Sequence, residues 1–570
     1  MTGAVVLSGD RWRIGPSRFA NPSREIQAES PAEVLPALRA AEAAAEAGSW
    51  VAGFVSYQAA PGLDQRLKVP GAGRERLPLI WFGVFDQPAP AVLATRGHFS
   101  LGRWRAGMSR EDHASKVGII RDEISAGQTY QVNLTFPMVG DFEGEPESLL
   151  GALTRTQPDS HAALIDVGSS QILSVSPELF LKRTGTTLTT KPMKGTARRG
   201  RWPSEDQLIR DQLIASEKER AGNVMIVDML RNDMGKVAMT GSVEVRELFG
   251  AERHPTVWQL TSTVESEIED GVELADLFRA VFPSGSVTGA PKESTMEIIA
   301  RLEGVPREAY CGAIGYIEPG GHRFEFSVAI RTGILSGSRF TYHVGGGITY
   351  DSVAEAEYEE CLWKALVVTQ HLPIPSLIET MRYDPDAGIP LLPRHVRRLA
   401  ASASYWGIDL DLVALGEALS GIEGPNGAKI RVLLGPDGRI EVSSEPLPTW
   451  DEPVSILVSD VRVDPADPYW YHKVADRSRY PVSDDQTEML MTNLDGEVTE
   501  TNRSNLLAHV GGRWMTPPLG SGCLPGVARS AAMESMEIVE RPMTVHDLMS
   551  ADELAVTNAV RGWRKAVLIR

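Results

Sequence analysis

The chain has 570 residues, 42% of them hydrophobic and 23% charged, with a formal net charge of −18. That length exceeds what one hydrophobic core organises and predicts at least two domains of globular type. The acidity argues against nucleic acid or an anionic membrane surface as a partner, so an anionic substrate has to be met by locally placed Lys, Arg, backbone N–H groups or a metal.

In chain order, the opening residues lack the basic start and long apolar run of a signal peptide. The Ala/Glu-rich stretch from Pro36 to Gly48 is helix-forming. Trp50 to Tyr57 and Ile172 to Lys182 read as strands, and Glu217 to Asp233 as an amphipathic helix. The turn FPSGSVTGAPKES leads into a helix at Pro291, a residue favoured in a first turn. SVAIRTG puts Arg331 on an apolar strand, where a buried charge needs an anion or a structural ion pair. Gly347 to Leu366 reads as a turn and a helix, followed by the proline-marked boundary LPIPS at 372–376. A strand, SLIETMRY, and a helix ending at Gly407 then open a second region. No internal repeat is present, and no run approaches the roughly 20 apolar residues of a membrane span. The three cysteines, Cys311, Cys361 and Cys523, form neither a disulfide framework nor a CxxC metal pair. A reducing cytosol is the expected compartment, with no nucleic-acid or membrane partner.

Glu357, Glu360 and Lys364 share one face of the expected helix. Their spacing alone favours a solvated face with a Glu–Lys pair. The upstream run Gly345, Gly346, Gly347 adds bare backbone N–H groups that can approach an anion.

SPELFLK, KPMKGTARRG, KERAGNVMIVDMLRNDMGKV, SGSVTGAPK, AIRTG and GGGITYDSVAEAEYEE follow one another in this order. Over residues 100 to 370 the chain thereby resembles the chorismate-utilising enzymes, which include anthranilate, aminodeoxychorismate, isochorismate and salicylate synthases. The resemblance implies an α+β fold for residues 1–371, a two-sheet sandwich with helices like anthranilate synthase component I, with residues 1–95 as an extension. It implies Mg²⁺ held by Glu360, with Glu357 supporting it, and chorismate held by Tyr316, Arg331, Gly347, Thr288 and Gly289. Lys364 matches a basic residue near the metal. Where the family usually has a second metal-binding glutamate this chain has Gly222, so Glu219, one turn earlier, is the expected substitute. Gln259 also stands where many relatives have a histidine.

Two positions sort the branches of the family. Water-adding members have a lysine base where this chain has Gln131, and an amide cannot deprotonate water. Lys194 resembles the lysine with which aminodeoxychorismate synthases attack the chorismate ring, a place where anthranilate synthases have a small residue. Glu178, sixteen residues earlier, matches the general acid. The resemblance therefore implies amination at C4, with anthranilate-type amination as the alternative. No glutaminase nucleophile is evident, so ammonia from a separate glutamine amidotransferase subunit is implied.

LIETMR, HVRRLAASA, YHKVADR, LDGEVTETNRSNLL, WMTPPLGSGCLPGVARS and VTNAVRG make residues 377–570 resemble the fold-type IV, branched-chain aminotransferase-like PLP enzymes, aminodeoxychorismate lyase above all. An α/β domain of that fold is implied, with Lys473 carrying the PLP and Glu500 against its ring nitrogen. Arg398, Gly526, Val527 and Thr557 would sit on its phosphate. The stretch from Lys473 to Glu500 is short, and Pro481 interrupts it. A non-catalytic stabilising module is the competing reading, and a homodimer through this domain is compatible with either.

Overall fold

The computed structural model describes residues 3–93, 98–369, 374–422, 427–447, 452–484 and 486–569. They form two units: Met1–Arg198 with Arg210–Pro373, and Arg199–Ile209 with Ile374–Arg570. The boundary expected at 372–376 lies partly outside the described residues. The segment Arg199–Ile209, assigned to the first domain on sequence grounds, clusters with the second unit.

The first unit contains an eleven-stranded and a ten-stranded sheet, both antiparallel. Strands such as Ile80–Phe85, IWFGVF, are buried at every position. A sheet covered on both faces loses the alternation of a half-exposed one. Phe19, Phe54, Trp81, Ile165 and Ile314 fill the space between the sheets. The helices Pro31–Glu46, Glu217–Gly235 and Leu274–Val281 cover the ten-stranded sheet through Leu38, Val227 and Phe278. Pro146–Thr156 and Ala354–Thr369 cover the other through Leu149, Leu153 and Cys361. The outcome is the α+β two-sheet sandwich that the motifs imply.

Two sequence expectations are corrected here, and both corrections create function. Ile172 to Lys182 is not one strand. It breaks at Pro177–Glu178 into Gln171–Ser176 in the eleven-stranded sheet and Leu179–Thr184 in the ten-stranded one. Proline has no N–H to give to a ladder, which favours a break at this point. Arg331 is likewise not within a strand. It lies between Arg323–Val328 of the ten-stranded sheet and Thr332–Ser336 of the other, at φ +49°. Val328 N donates to Glu178 O at 3.0 Å and Val175 N to Arg331 O at 3.1 Å, so the two crossings lie side by side.

The second unit has a three-stranded antiparallel sheet, Leu377–Tyr383, Ala428–Leu434 and Ile440–Pro446, and an eight-stranded mixed sheet. In the larger sheet Val454–Val463 runs parallel to Thr487–Asn493 and to Gly562–Leu568. Ile456, Leu490, Leu506 and Val556 form its core. The helix Leu392–Trp406 ends at Gly407 with φ 75°, a left-handed cap that suits glycine. Among the described residues no helix is long and apolar enough to cross a membrane.

Candidate active sites

A cavity of about 530 Å³ opens in the first unit at the sheet crossings. One wall is the pair Gln131–Gly144 and Arg339–Ile348, with Gly347 opposite Asn133 and Gly345 opposite Thr135. Lys194 enters from Met193–Arg198, an end strand of the other sheet. Its ladder with Val257–Glu267 is irregular between Met193 and Thr196, and Gly195 has φ 104°. A bulge of this kind re-aims a side chain, here into the cavity. The glycine at 347 makes the approach feasible, because a Cβ there would overlap Lys194 Nζ and crowd the Gln131 amide.

Lys194 has no ion pair or side-chain hydrogen bond among the described residues. Burial, and then the Lys364 charge, push its pKa below the usual lysine value, against the pull of Glu360, Glu219 and Glu357. Glu178, 3% exposed, accepts a hydrogen bond from Ser286 Oγ at 2.6 Å, and burial pushes its pKa up to about 8. A lysine biased toward its neutral form and a carboxyl biased toward its protonated form thus face one cavity, the combination that attack and leaving-group protonation require. The expected pH profile is bell-shaped. Activity rises as Lys194 loses its proton and falls as Glu178 loses its own through about 8. Glu178→Gln should lower the rate about 10²- to 10⁴-fold. An unchanged rate and an unchanged alkaline limb would remove Glu178 from the reaction.

Glu357, Glu360 and Lys364 lie on Ala354–Thr369, and all three line the cavity. Lys364 Nζ pairs with Glu360 at 2.8 Å and donates to Gly345 O at 2.8 Å. The Glu–Lys pair therefore exists, and it faces the cavity with each side chain 39% exposed. Glu357 accepts from Ser352 Oγ at 2.7 Å, yet burial and the neighbouring Glu360 raise its pKa. Glu219, from Glu217–Gly235, also lines the cavity, and its carboxylate lies against Gly195. The three expected ligands do not converge, since no group of three or more His, Cys, Asp or Glu able to hold a metal occurs among the described residues. Two carboxylates nevertheless suit Mg²⁺, which completes its shell with substrate oxygens and water. Burial, and then the neighbouring Glu360, disfavour the ionised form of Glu357, a cost that a bound cation would offset, so the pair fits the ion.

Arg331 lines the cavity and donates to Gln157 Oε1 at 2.5 Å. No carboxylate among the described residues pairs with it, so of the two sequence alternatives the structural ion pair falls away. Tyr316 is a further correction. Its hydroxyl donates to Glu325 at 3.1 Å, and its ring sits between the sheets beside Trp12 and Trp50, away from the cavity. The strand Ala313–Ile317 turns it inward. Tyr310, six residues earlier and ahead of that strand, lines the cavity instead and stacks on His343 at 5.3 Å. Thr288 and Gly289 are buried behind the wall, and Ser286 and Val287 face the cavity in their place. Thr288 Oγ1 is used on Ser284 O at 3.2 Å. Gln131 is fully buried, and both polar atoms of its amide lack a hydrogen-bond partner. Gln259 lines the cavity and accepts from Thr196 Oγ1 at 3.1 Å.

The second unit holds a cavity of about 390 Å³. Lys473 is half-buried in it. Burial, Arg398 and Arg477 push its pKa down to about 8. Glu500 is 4% exposed, and burial pushes its carboxyl up to about 7. Asn505 Nδ2 donates to Glu500 Oε2 at 3.1 Å and to Leu524 O at 2.9 Å. A Cβ at Gly526 would overlap Asn505 Oδ1, so the turn packs on this asparagine. Gly526 caps Val527–Ser535, whose first N–H groups have no helical acceptor. Arg398, on Leu392–Trp406, is fixed by Glu379 at 2.7 and 2.8 Å, and Thr557 completes this side of the lining. A lysine held near neutrality, a buried acid and an anion cradle fit PLP. The stretch after Lys473 forms no helix, in keeping with Pro481. It returns Arg477 and Tyr480 to the cavity, with the guanidinium 3.6 Å from the ring centroid. Neither residue was singled out from the sequence, which gives no periodicity there.

Residues 5–370 match the chorismate binding enzyme family, and residues 376–569 match amino-transferase class IV, which implies PLP. The aminodeoxychorismate synthase of Streptomyces griseus is 39% identical over 350 residues, 61% of this chain and 45% of that protein. Aminodeoxychorismate synthase component 1 of Klebsiella aerogenes is 42% identical over 275 residues, 48% and 60% of the two chains. The matched stretch thus spans about half the length of these curated relatives. The crystal structure of anthranilate synthase component I from Streptococcus pneumoniae superposes with a TM-score of 0.53 at 24% identity. It covers 65% of this chain and 92% of that one, a likeness of fold.

Proposed function

The chain belongs to the chorismate binding enzyme family, and from that premise we propose that its first cavity aminates chorismate to 4-amino-4-deoxychorismate and its second releases 4-aminobenzoate and pyruvate. The observation that carries the first half is Lys194, cavity-facing and without a side-chain partner among the described residues, sharing the cavity with Glu178, whose carboxyl burial pushes up to about 8. The neutral Lys194 amine bonds to ring C2 as the C4–O bond breaks, and Glu178 gives its proton so that water leaves. Ammonia then bonds to C4, and the lysine leaves C2 with its electron pair restored. Two moderate barriers replace one high one. Arg331 meets a substrate carboxylate, and Tyr310 supplies a hydroxyl nearby. Ammonia comes from a separate glutamine amidotransferase.

Glu357 and Glu360 would hold a Mg²⁺ together with a substrate carboxylate, and the ion would offset the anionic charge gathered there. Glu360→Gln should raise the Mg²⁺ concentration for half-maximal rate about ten-fold or more, by loss of one anionic ligand. Gly222→Glu should lower it. A Cβ at position 222 meets Lys194 only at ordinary contact distances of 3.6 and 3.7 Å, so the backbone there admits a side chain. Turnover indifferent to chelator would overturn the metal assignment.

In the second cavity bound PLP would supply an electron sink for breaking a C–H bond next to the substrate nitrogen. Arg398, Thr557 and the Gly526–Val527 turn would hold its phosphate, and Glu500 its ring nitrogen. Lys473 takes the C4 proton, pyruvate departs and the ring becomes aromatic. The deciding experiment supplies the purified chain with chorismate, ammonium and Mg²⁺, with and without PLP. The expected products are 4-amino-4-deoxychorismate without PLP and 4-aminobenzoate with it. Anthranilate as the main product would overturn the first half of the reading, and 4-amino-4-deoxychorismate persisting despite bound PLP the second.

A further inference from the structure

The second cavity carries more positive charge than PLP requires. Beyond Lys473 and Arg398 it is lined by Lys429, Arg431, Arg477, Arg503 and Arg561, and Glu500 is its only carboxylate among the described lining residues. This concentration arises in a chain whose formal charge is −18. Several of the cations already have a use. Lys429 pairs with Glu445 at 2.8 Å, Arg477 lies over Tyr480, and Arg503 donates to Ser483 O at 3.1 Å.

Arg431 differs. It stands on Ala428–Leu434, the middle strand of the three-stranded sheet, with Thr380 as its neighbour on one side and Ser443 on the other. No carboxylate pairs with it among the described residues. The strand alternates strictly: Ala428, Ile430, Val432 and Leu434 are buried, and Arg431 is exposed on the opposite face. Ile378, Thr380 and Arg431 all line the cavity from that face. A guanidinium on a rigid middle strand with a hydroxyl beside it is a pre-organised fork for a carboxylate. Ile378, on the same face, donates its N–H to the Lys473 carbonyl at 2.8 Å, and Arg431 stands opposite Thr380, two residues further along that strand.

We propose that Arg431, with Thr380 beside it, holds the carboxylate that lies across the ring from the reacting amine, and so selects carboxylate-bearing cyclic amines for the second site. The inference rests on the lyase reading above and names the residue that sets its substrate class. Arg431 acts on binding, with no part in proton transfer.

The test uses the full chain loaded with PLP. Arg431→Gln should raise KM for 4-amino-4-deoxychorismate about ten-fold or more, equivalent to about 1.4 kcal/mol, and leave kcat and PLP uptake within two-fold. Arg431→Lys should recover part of the loss. A second readout needs no turnover. The absorbance of the bound cofactor is titrated with 4-aminobenzoate and with aniline, which differ only in the carboxylate. The wild-type chain should favour 4-aminobenzoate, and Arg431→Gln should erase the preference. An unchanged KM, an undiminished preference for 4-aminobenzoate, or a loss of PLP uptake in Arg431→Gln would each overturn the proposal. A wild-type chain that takes up PLP but makes no 4-aminobenzoate would fail the lyase reading, and the titration pair would then decide the Arg431 proposal by itself.

Discussion

Lys194→Ala should cut formation of 4-amino-4-deoxychorismate by about 10³-fold or more, the order expected when a covalent nucleophile is deleted. The chain should remain folded. Among the described residues the Lys194 side chain makes no hydrogen bond or ion pair, and the bond from Asn223 Nδ2 to its backbone O at 3.1 Å is kept in the variant. Among the described residues the variant breaks no side-chain hydrogen bond, so the loss reads on chemistry rather than on stability. Lys194→Arg should not restore activity, because a guanidinium stays protonated and has no free electron pair to attack with. Slow anthranilate formation is expected from the alanine variant, since ammonia can then reach C2 directly. Product analysis by chromatography, with a thermal melt of the same sample, checks all three statements. Near-wild-type 4-amino-4-deoxychorismate from Lys194→Ala with an unaltered melt would take the lysine out of the mechanism.

The residues that carry this argument were legible in the sequence to different degrees. Lys194, Glu178, Glu357 and Glu360 sit in ordered motifs, and motif order identifies them without any geometry. The reason Glu178 has a raised pKa was not legible. It depends on the break at Pro177, which moves the chain from one sheet to the other and buries the carboxyl beside Ser286. Arg331 follows the same rule, as an apparent strand residue that is in truth a second crossing at φ +49°. Hydropathy cannot show a crossing, because strands buried on both faces read as apolar on either side of it. The expectation at Tyr316, with Tyr310 lining the cavity instead, failed for a related reason. The two lie six residues apart, and only the start of the strand at Ala313 decides which of them faces the space between the sheets. In the second unit the helix cap at Gly407 was readable from residue type, since left-handed backbone favours glycine. Arg477 and Tyr480 were not, because an irregular segment has no period to read.

The second large effect is expected at Lys473 and Glu500, and the two should fail differently. Borohydride reduction of the PLP-loaded chain should fix the cofactor on Lys473, seen as a mass increase on the peptide that contains it. Lys473→Ala should show no adduct and release no measurable 4-aminobenzoate. Burial and the charges of Arg398 and Arg477 bring this amine down to about 8, so a useful fraction is neutral near pH 7 and able to take a proton. Glu500→Gln should keep the coloured cofactor, because Arg398, Thr557 and the Gly526–Val527 turn would hold the phosphate without it. Yet its 4-aminobenzoate release should fall about 10²-fold or more, since the carboxylate matters most as negative charge develops on the ring system. The wild-type carboxyl, pushed up to about 7 by burial, is half ionised near neutrality before the cofactor binds. The ionised form is the one able to pair with a protonated ring nitrogen, so PLP uptake should strengthen as pH rises through 7 and weaken below it. Glu500→Gln should flatten that dependence while Asn505 still donates to the position. Wild-type lyase activity in Lys473→Ala, or a Glu500→Gln chain that loses cofactor and activity in equal measure, would make the second cavity a structural feature of the fold.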